Sequence, residues 1–171
     1  NNMNIQSMLI ATFFTASLSV SSMGMADNIL VVMSDESQLD LKDGKSYSTG
    51  FYLNELMQPV KRFLDEGHSI TFATPSGIAP TMDINSDSVQ LFNNDEVAYK
   101  THKNLMHELG IVSAVNSPVV SFNRVEQIGV EYFDAFFAPG GHAPMQDLLL
   151  DDQLGRILTA FHLSNKPTGL E

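Results

Sequence analysis

The sequence predicts an α/β fold, a doubly wound and mostly parallel sheet sandwiched by helices. Three observations carry that prediction. Two runs, Asn28-Ile29-Leu30-Val31-Val32-Met33-Ser34 and Phe133 to Ala138, are apolar almost throughout and of strand length, which suits strands buried on both faces of a parallel sheet. Between such runs lie segments whose apolar residues recur at helical spacing. The two kinds alternate along the chain, as the layered α/β architecture requires.

The first strand, from Asn28 to Ser34, is followed by a polar stretch, Asp35 to Ser48, which reads as a loop. Thr49-Gly50 opens a helical segment in which Phe51, Leu53, Leu56, Val60, Phe63 and Leu64 share one face, with Gly67 as its stop. Pro59 lies inside it. Because proline has no N–H, the carbonyl of Glu55 loses its helical partner, and a bend or break is expected there. His68 to Thr74 is β-branched and aromatic and ends at Pro75-Ser76-Gly77, a second strand and turn. Ile78 to Phe92 reads as irregular, and Asn94 to Leu109 as a helix capped by Asn/Asp and stopped by Gly110. For Ile111 to Val130, interrupted by Ser117-Pro118, a short strand and one helical turn are expected. Phe133 to Ala138 is the next strand, Asp151 to Leu163 the next helix, and Lys166 to Leu170 begins another strand.

The 171 residues, 43% hydrophobic and 17% charged, are enough for one domain with a sizeable core. Met8 to Val20 is apolar and leads to Ser21-Ser22-Met23-Gly24-Met25-Ala26. This pattern predicts a secretory signal over residues 1–26, cleaved near Ala26, with the domain over residues 27–171. A disordered or weakly helical leader is the alternative, since no Lys or Arg precedes the apolar run. A signal implies a secreted or periplasmic protein with no membrane attachment after cleavage. The net charge is −11, and all of it falls after the leader. Such an acidic body offers no footprint for nucleic acid or an anionic membrane surface, which leaves small molecules or exposed apolar chains as partners. His102 and His107, five apart on one helix, do not share a face, so no metal pair is expected.

The most informative stretch is Asp134 to Asp147, where an apolar strand stops at Pro139-Gly140-Gly141-His142. Adjacent glycines let the backbone turn where a side chain would clash, and their N–H groups can face a bound oxygen anion. Such donors serve acyl or carbonyl chemistry. In a doubly wound sheet, ligands sit at the carboxyl ends of the strands, which places Ser34, Pro75 and Gly140 on one rim.

Three stretches together resemble the ThiJ/PfpI superfamily of class I glutamine amidotransferase-like proteins, in the branch that includes glyoxalase III and chaperone-like members. They are Thr49 to Pro59, with Glu55 five positions after Gly50; Gly67 to Gly77, with Pro80 and Asp83 behind it; and the Pro-Gly-Gly-His run. The resemblance implies a flavodoxin-like fold and a cysteine at a strand-to-helix elbow, with a Glu near the sulfur and a glycine turn for the oxyanion. Carried over, Glu55 matches the acid and Gly140, Gly141 and His142 the turn, while Ala143 replaces the usual glycine. The elbow is expected soon after Leu170, and the chain has no cysteine. The resemblance therefore implies that the nucleophile and the C-terminal part lie outside this sequence and that the fragment alone is inactive.

Glu55 and His142 are thus the candidate catalytic residues, Gly140 and Gly141 the candidate oxyanion donors. Each has a plainer use: Glu55 as a solvated helix carboxylate, His142 as a bond to its own turn, the glycines as turn formers. Asp147 reads as an N-cap or loop anchor, and Asp134 as a partner for local backbone. For the intact protein the resemblance implies cofactor-free conversion of a 2-oxoaldehyde such as methylglyoxal to its hydroxy acid, with a small carbonyl substrate and a possible homodimer. Amidase or peptidase chemistry, and a holdase that shields unfolded chains, are the alternatives.

Overall fold

The computed structural model describes residues 24–171, so the expected leader lies outside the described residues except for Gly24, Met25 and Ala26 at its end. Five strands form one parallel sheet: β1 (Asn28–Val32), β4 (Ser69–Thr74), β5 (Val120–Ser121), β6 (Ala135–Ala138) and β7 (Thr168–Leu170), in the order β5-β4-β1-β6-β7. β1 is central, pairing Ile29 with Ile70 on one side and with Ala135 on the other. Its alternating residues divide the core. Ile29, Val31 and Met33 face one layer and Leu30 and Val32 the other.

The first layer holds α1 (Leu53–Asp65) and α2 (Glu96–Glu108), which contribute Leu53, Leu56, Met57, Val60 and Met106. The second holds α3 (Phe122–Ile128) and α4 (Asp152–Leu163), which contribute Phe122, Val125, Leu154, Ile157 and Phe161. Each such side chain, fully buried, stabilises by about 1.5–3 kcal/mol, which is why the helical spacing of these residues is so legible in the sequence. Caps fix the starts: Asp95 accepts from the Val97 and Ala98 amides and Asp151 from the Leu154 amide, each such cap contributing about 1 kcal/mol.

Three details differ from the sequence reading. The polar stretch after β1 contains a small antiparallel hairpin, β2 (Gln38–Asp40) and β3 (Ser46–Ser48), in which Leu39 pairs with Tyr47. The helix α1 runs through Pro59 without a break, because four buried side chains on one face hold it to the sheet across the missing hydrogen bond. Asp134 bonds not to its own neighbourhood but across to the Asn28 amide at the start of β1, at 2.8 Å.

Candidate functional site

All five sheet strands run parallel, so β1, β4 and β6 end on the same rim. Carboxylates knit that rim together. Asp147, the cap of the turn Leu148–Leu150, accepts from the Ser34 hydroxyl at 2.7 Å and from the Asp35 and Leu148 amides at 2.9 and 2.7 Å. Asp35 in turn accepts from the Ser76 and Ile78 amides beyond β4. Burial pushes the Asp147 carboxyl above the usual range, against the pull of these donors. It is an anchor of the loops and offers no free oxygen pair to a substrate.

Between the loops, the segment around Phe51 acts as a short extra strand. Phe51 bridges Met82 on one side and Gly141 on the other, with its amide donating to the Thr81 carbonyl at 3.0 Å and its carbonyl accepting from Asp83 at 2.9 Å. That close approach explains two glycines at once. A Cβ on Gly50 would strike the Thr81 carbonyl and one on Gly141 the Gly50 carbonyl. Gly141 also sits at φ +116°, a conformation that glycine alone adopts readily.

The helix α1 starts two residues after Phe51, and this sets Glu55 in its first turn. The consequence is specific. Glu55 Oε2 is buried and has no hydrogen-bond partner among the described residues, and it lies 2.5 Å from where a Cβ on Gly140 would be. The Gly140 backbone thus makes room for the carboxyl, and the backbone of Glu171 closes in from the other side, 3.3 Å from the same point. Burial first, and the Glu171 carboxylate second, push the Glu55 carboxyl upward, while His142 opposes them. A carboxyl so placed takes up and gives back a proton closer to neutral pH than a solvated one.

His142 stands at the exposed outer edge of this arrangement, its ring edge-on to Tyr47 with centroids 6.1 Å apart. Tyr52, beside Glu55, has its phenol pushed up by burial and by Asp83, Tyr47 and Glu55. The structure therefore brings Glu55, Gly140 and His142 to one place, and it adds two tyrosines that no motif singled out. Their only sequence signal is aromatic character on either side of Thr49-Gly50. Against Gly140 lies a void of about 10 Å³ lined by Met33, Ser34, Phe51, Thr81 and Ala143 among others, room for about one water. A larger cleft of about 310 Å³ opens beyond Gly141, lined by Phe136, Leu148, Leu149, Leu154, Leu158 and Leu170 among others.

No cluster of three or more His, Asp or Glu among the described residues could hold a metal ion. His102 instead bonds the Ala98 carbonyl and packs on Phe92, and His68 accepts from the Asp27 amide at 3.1 Å. None of the described helices is long and apolar enough to cross a membrane.

Comparison with known proteins places this geometry. The family described as ThiJ/PfpI family-like matches residues 47–168. Among solved structures, glyoxalase III from Candida albicans superposes with a TM-score of 0.62 at 18% identity, over 84% of this chain and 56% of that one. The Rapid Encystment Protein 24 KDa of Francisella tularensis superposes with a TM-score of 0.58 at 21% identity, over 84% of this chain and 57% of that one. At such identities the likeness is one of fold, and the chain spans little more than half the length of these structures. Curated protein sequences yield no significant match. Since the matched region runs unbroken from the hairpin through the Glu55 helix and the Gly-Gly-His turn to β7, the chain belongs to the ThiJ/PfpI-like family.

Proposed function

We propose that residues 27–171 carry the acid and oxyanion half of a site that acts on a small carbonyl compound, a 2-oxoaldehyde such as methylglyoxal. One observation supports this reading above the others: Glu55 Oε2 is buried, has no hydrogen-bond partner among the described residues and is packed on the Gly140 backbone. A merely solvated helix carboxylate would reach for water. In the proposed reaction a thiolate adds to the aldehyde carbon, and the oxyanion that forms is held by backbone N–H groups of the glycine turn. Glu55 removes the proton from that carbon and returns one to the adjacent carbon as the ketone is reduced, leaving a thioester. Water then releases the hydroxy acid and the thiol. Overall one water is consumed and no external oxidant or reductant is needed.

The sequence contains no cysteine, so the chain by itself is expected to make no lactate from methylglyoxal. The test uses the product of the natural reading frame: lactate formation that depends on a cysteine shortly after Leu170 and falls at least 100-fold in Glu55→Gln supports the proposal, a loss typical of removing a general acid–base group. A natural product without such a cysteine, or one indifferent to Glu55→Gln, overturns it. The amidase alternative shares these parts and differs in substrate alone, so hydrolysis of acyl amides in the same preparation separates the two.

A second reading, the holdase, draws support from a different observation. Leu149, which lines the apolar cleft, and its neighbour Leu150 are 73% and 88% exposed, a surface that suits unfolded chains. Suppression of aggregation of a heat-denatured client, lost on Leu149→Gln with Leu150→Gln, would favour it. Protection that survives both changes would dismiss that surface.

A further inference from the structure

We propose that Tyr47 is the positioning residue of His142, holding the imidazole at the mouth of the Glu55 and Gly140 site through an edge-to-face ring contact that Asp83 and Asn85 brace. The proposal rests on the site reading above but concerns a residue outside it.

The hairpin that carries Tyr47 is exposed along its whole second strand, so an aromatic ring there needs a reason. Its neighbours supply one. The two rings meet at an interplanar angle of 80°, the arrangement that sets the positive edge of one aromatic on the negative face of another. His142 makes no side-chain cap bond to the turn that it opens, and the Tyr47 ring contact is one that can orient it.

Tyr47 itself is fixed from behind. Asn85 Nδ2 donates to its hydroxyl at 3.2 Å and to Asp83 Oδ1 at 3.0 Å. Asp83 is 1% exposed, and it also accepts from the Asn85 amide at 2.9 Å and from the Thr49 hydroxyl at 3.3 Å. A buried carboxylate with these donors is a rigid base for a strut. On its other strand the hairpin is tied to the turn after His142, where Gln146 accepts from the Asp40 amide at 3.0 Å and donates to the Asp40 carboxylate at 3.2 Å. The hairpin that carries Tyr47 is thus fastened to the turn after His142 through Asp40 and Gln146, and to the Asp83 loop through Asn85. The imidazole so held lies near enough to Glu55 to favour its charged form.

The experiment follows the His142 ring resonances and the Glu55 carboxyl titration by NMR in this chain, comparing Tyr47→Ala, Tyr47→Phe and Asn85→Ala with the parent. Tyr47→Phe keeps the ring but loses the hydroxyl that Asn85 holds, so it should match Asn85→Ala, with shifts smaller than those of Tyr47→Ala. Tyr47→Ala should move the His142 ring protons toward free-histidine positions and raise the Glu55 midpoint, because a wandering imidazole opposes protonation less; Asn85→Ala should do the same to a smaller extent. If alanine loosens the hairpin, Tyr47→Leu keeps the apolar bulk without the ring and should give the same shifts. Loss of the Tyr47 ring current shifts the His142 protons in any case, so the Glu55 midpoint decides: a lowered Tm with that midpoint unmoved in Tyr47→Leu would overturn the proposal and leave Tyr47 as a brace of the fold. Neither readout needs turnover, so failure of the catalytic reading would not produce that result.

Discussion

At the scale of single residues, Glu55 stores a conflict between burial and charge. Its carboxyl is pushed up by burial and by Glu171, so folding favours the protonated form more than a solvated carboxyl would. The sign follows from linkage: the contribution is favourable below the ordinary glutamate pKa, about 4.3, and is lost as pH rises through the elevated folded value. Glu55→Gln should therefore raise the urea midpoint at pH 7 to 8, with the gain shrinking to nothing below about pH 4. A variant less stable than the parent at pH 8 would contradict the buried, unpartnered placement. The two glycines of the turn should part company under the same denaturation. In Gly140→Ala the new methyl meets the end of the flexible Glu55 side chain and, at 3.3 Å, the backbone of Glu171, the last residue, so it should cost about 1 kcal/mol while displacing the carboxyl and bringing its titration back toward the ordinary range. Gly141→Ala meets backbone at a φ of +116°, and strain of that kind costs on the order of 1–3 kcal/mol before the clash is counted. Equal losses at the two positions would mean that Glu55 is held more rigidly than its missing hydrogen bond implies.

Among the elements, α1 is the instructive one. Its interior proline leaves the Glu55 carbonyl without the usual helical donor, yet the helix is continuous from Leu53 to Asp65. Tertiary packing overrides propensity here, since Leu53, Leu56, Met57 and Val60 are all wholly buried. Interior proline costs about 3 kcal/mol in an isolated helix, and its stiffening of the unfolded chain returns at most about 1 kcal/mol. Pro59→Ala should then stabilise the chain by about 2–3 kcal/mol, read as an upward shift of the denaturation midpoint; destabilisation would show that the ring itself packs. The same contrast explains what could be read in advance. β1, β4 and β6 announce themselves as short apolar or β-branched runs, α4 through Leu154, Ile157 and Phe161 at helical spacing, and α2 and α4 alike because Asp95 and Asp151 stand at their starts. The hairpin was not legible, as each of its strands has three residues with a single large side chain, Leu39 or Tyr47. Its one signal is Asp43-Gly44, with Gly44 at φ +68°, the pair that favours tight turns. Of the site, the glycine turn is legible from its own residues and Glu55 through resemblance, whereas Tyr47 and Tyr52 depend on which loops the sheet happens to bring together, and spacing along the chain does not record that.

For the molecule as a whole, two opposing features govern association. The described domain leaves β7 at one edge of the sheet, and around it Met145, Leu149, Leu150 and Leu170 are 52%, 73%, 88% and 66% exposed. An open edge with an adjoining apolar surface is a template for pairing with another chain. Against it stands the net charge of −11, which keeps like molecules apart at neutral pH and low salt. Carboxylate protonation removes that repulsion as pH falls toward the sequence pI of about 4.6, and salt screens it at any pH. Sedimentation velocity should accordingly show the chain becoming more associated on going from low to high salt at pH 7, and more so on lowering the pH. Replacing Leu149 and Leu150 together by lysine removes the apolar contact but also lowers the net negative charge, so charge alone would predict more association in that variant. If the apolar edge is the attractive element, the double lysine variant should instead associate less than the parent at the same salt and pH. Association equal to or greater than the parent's would assign the attraction to some other surface.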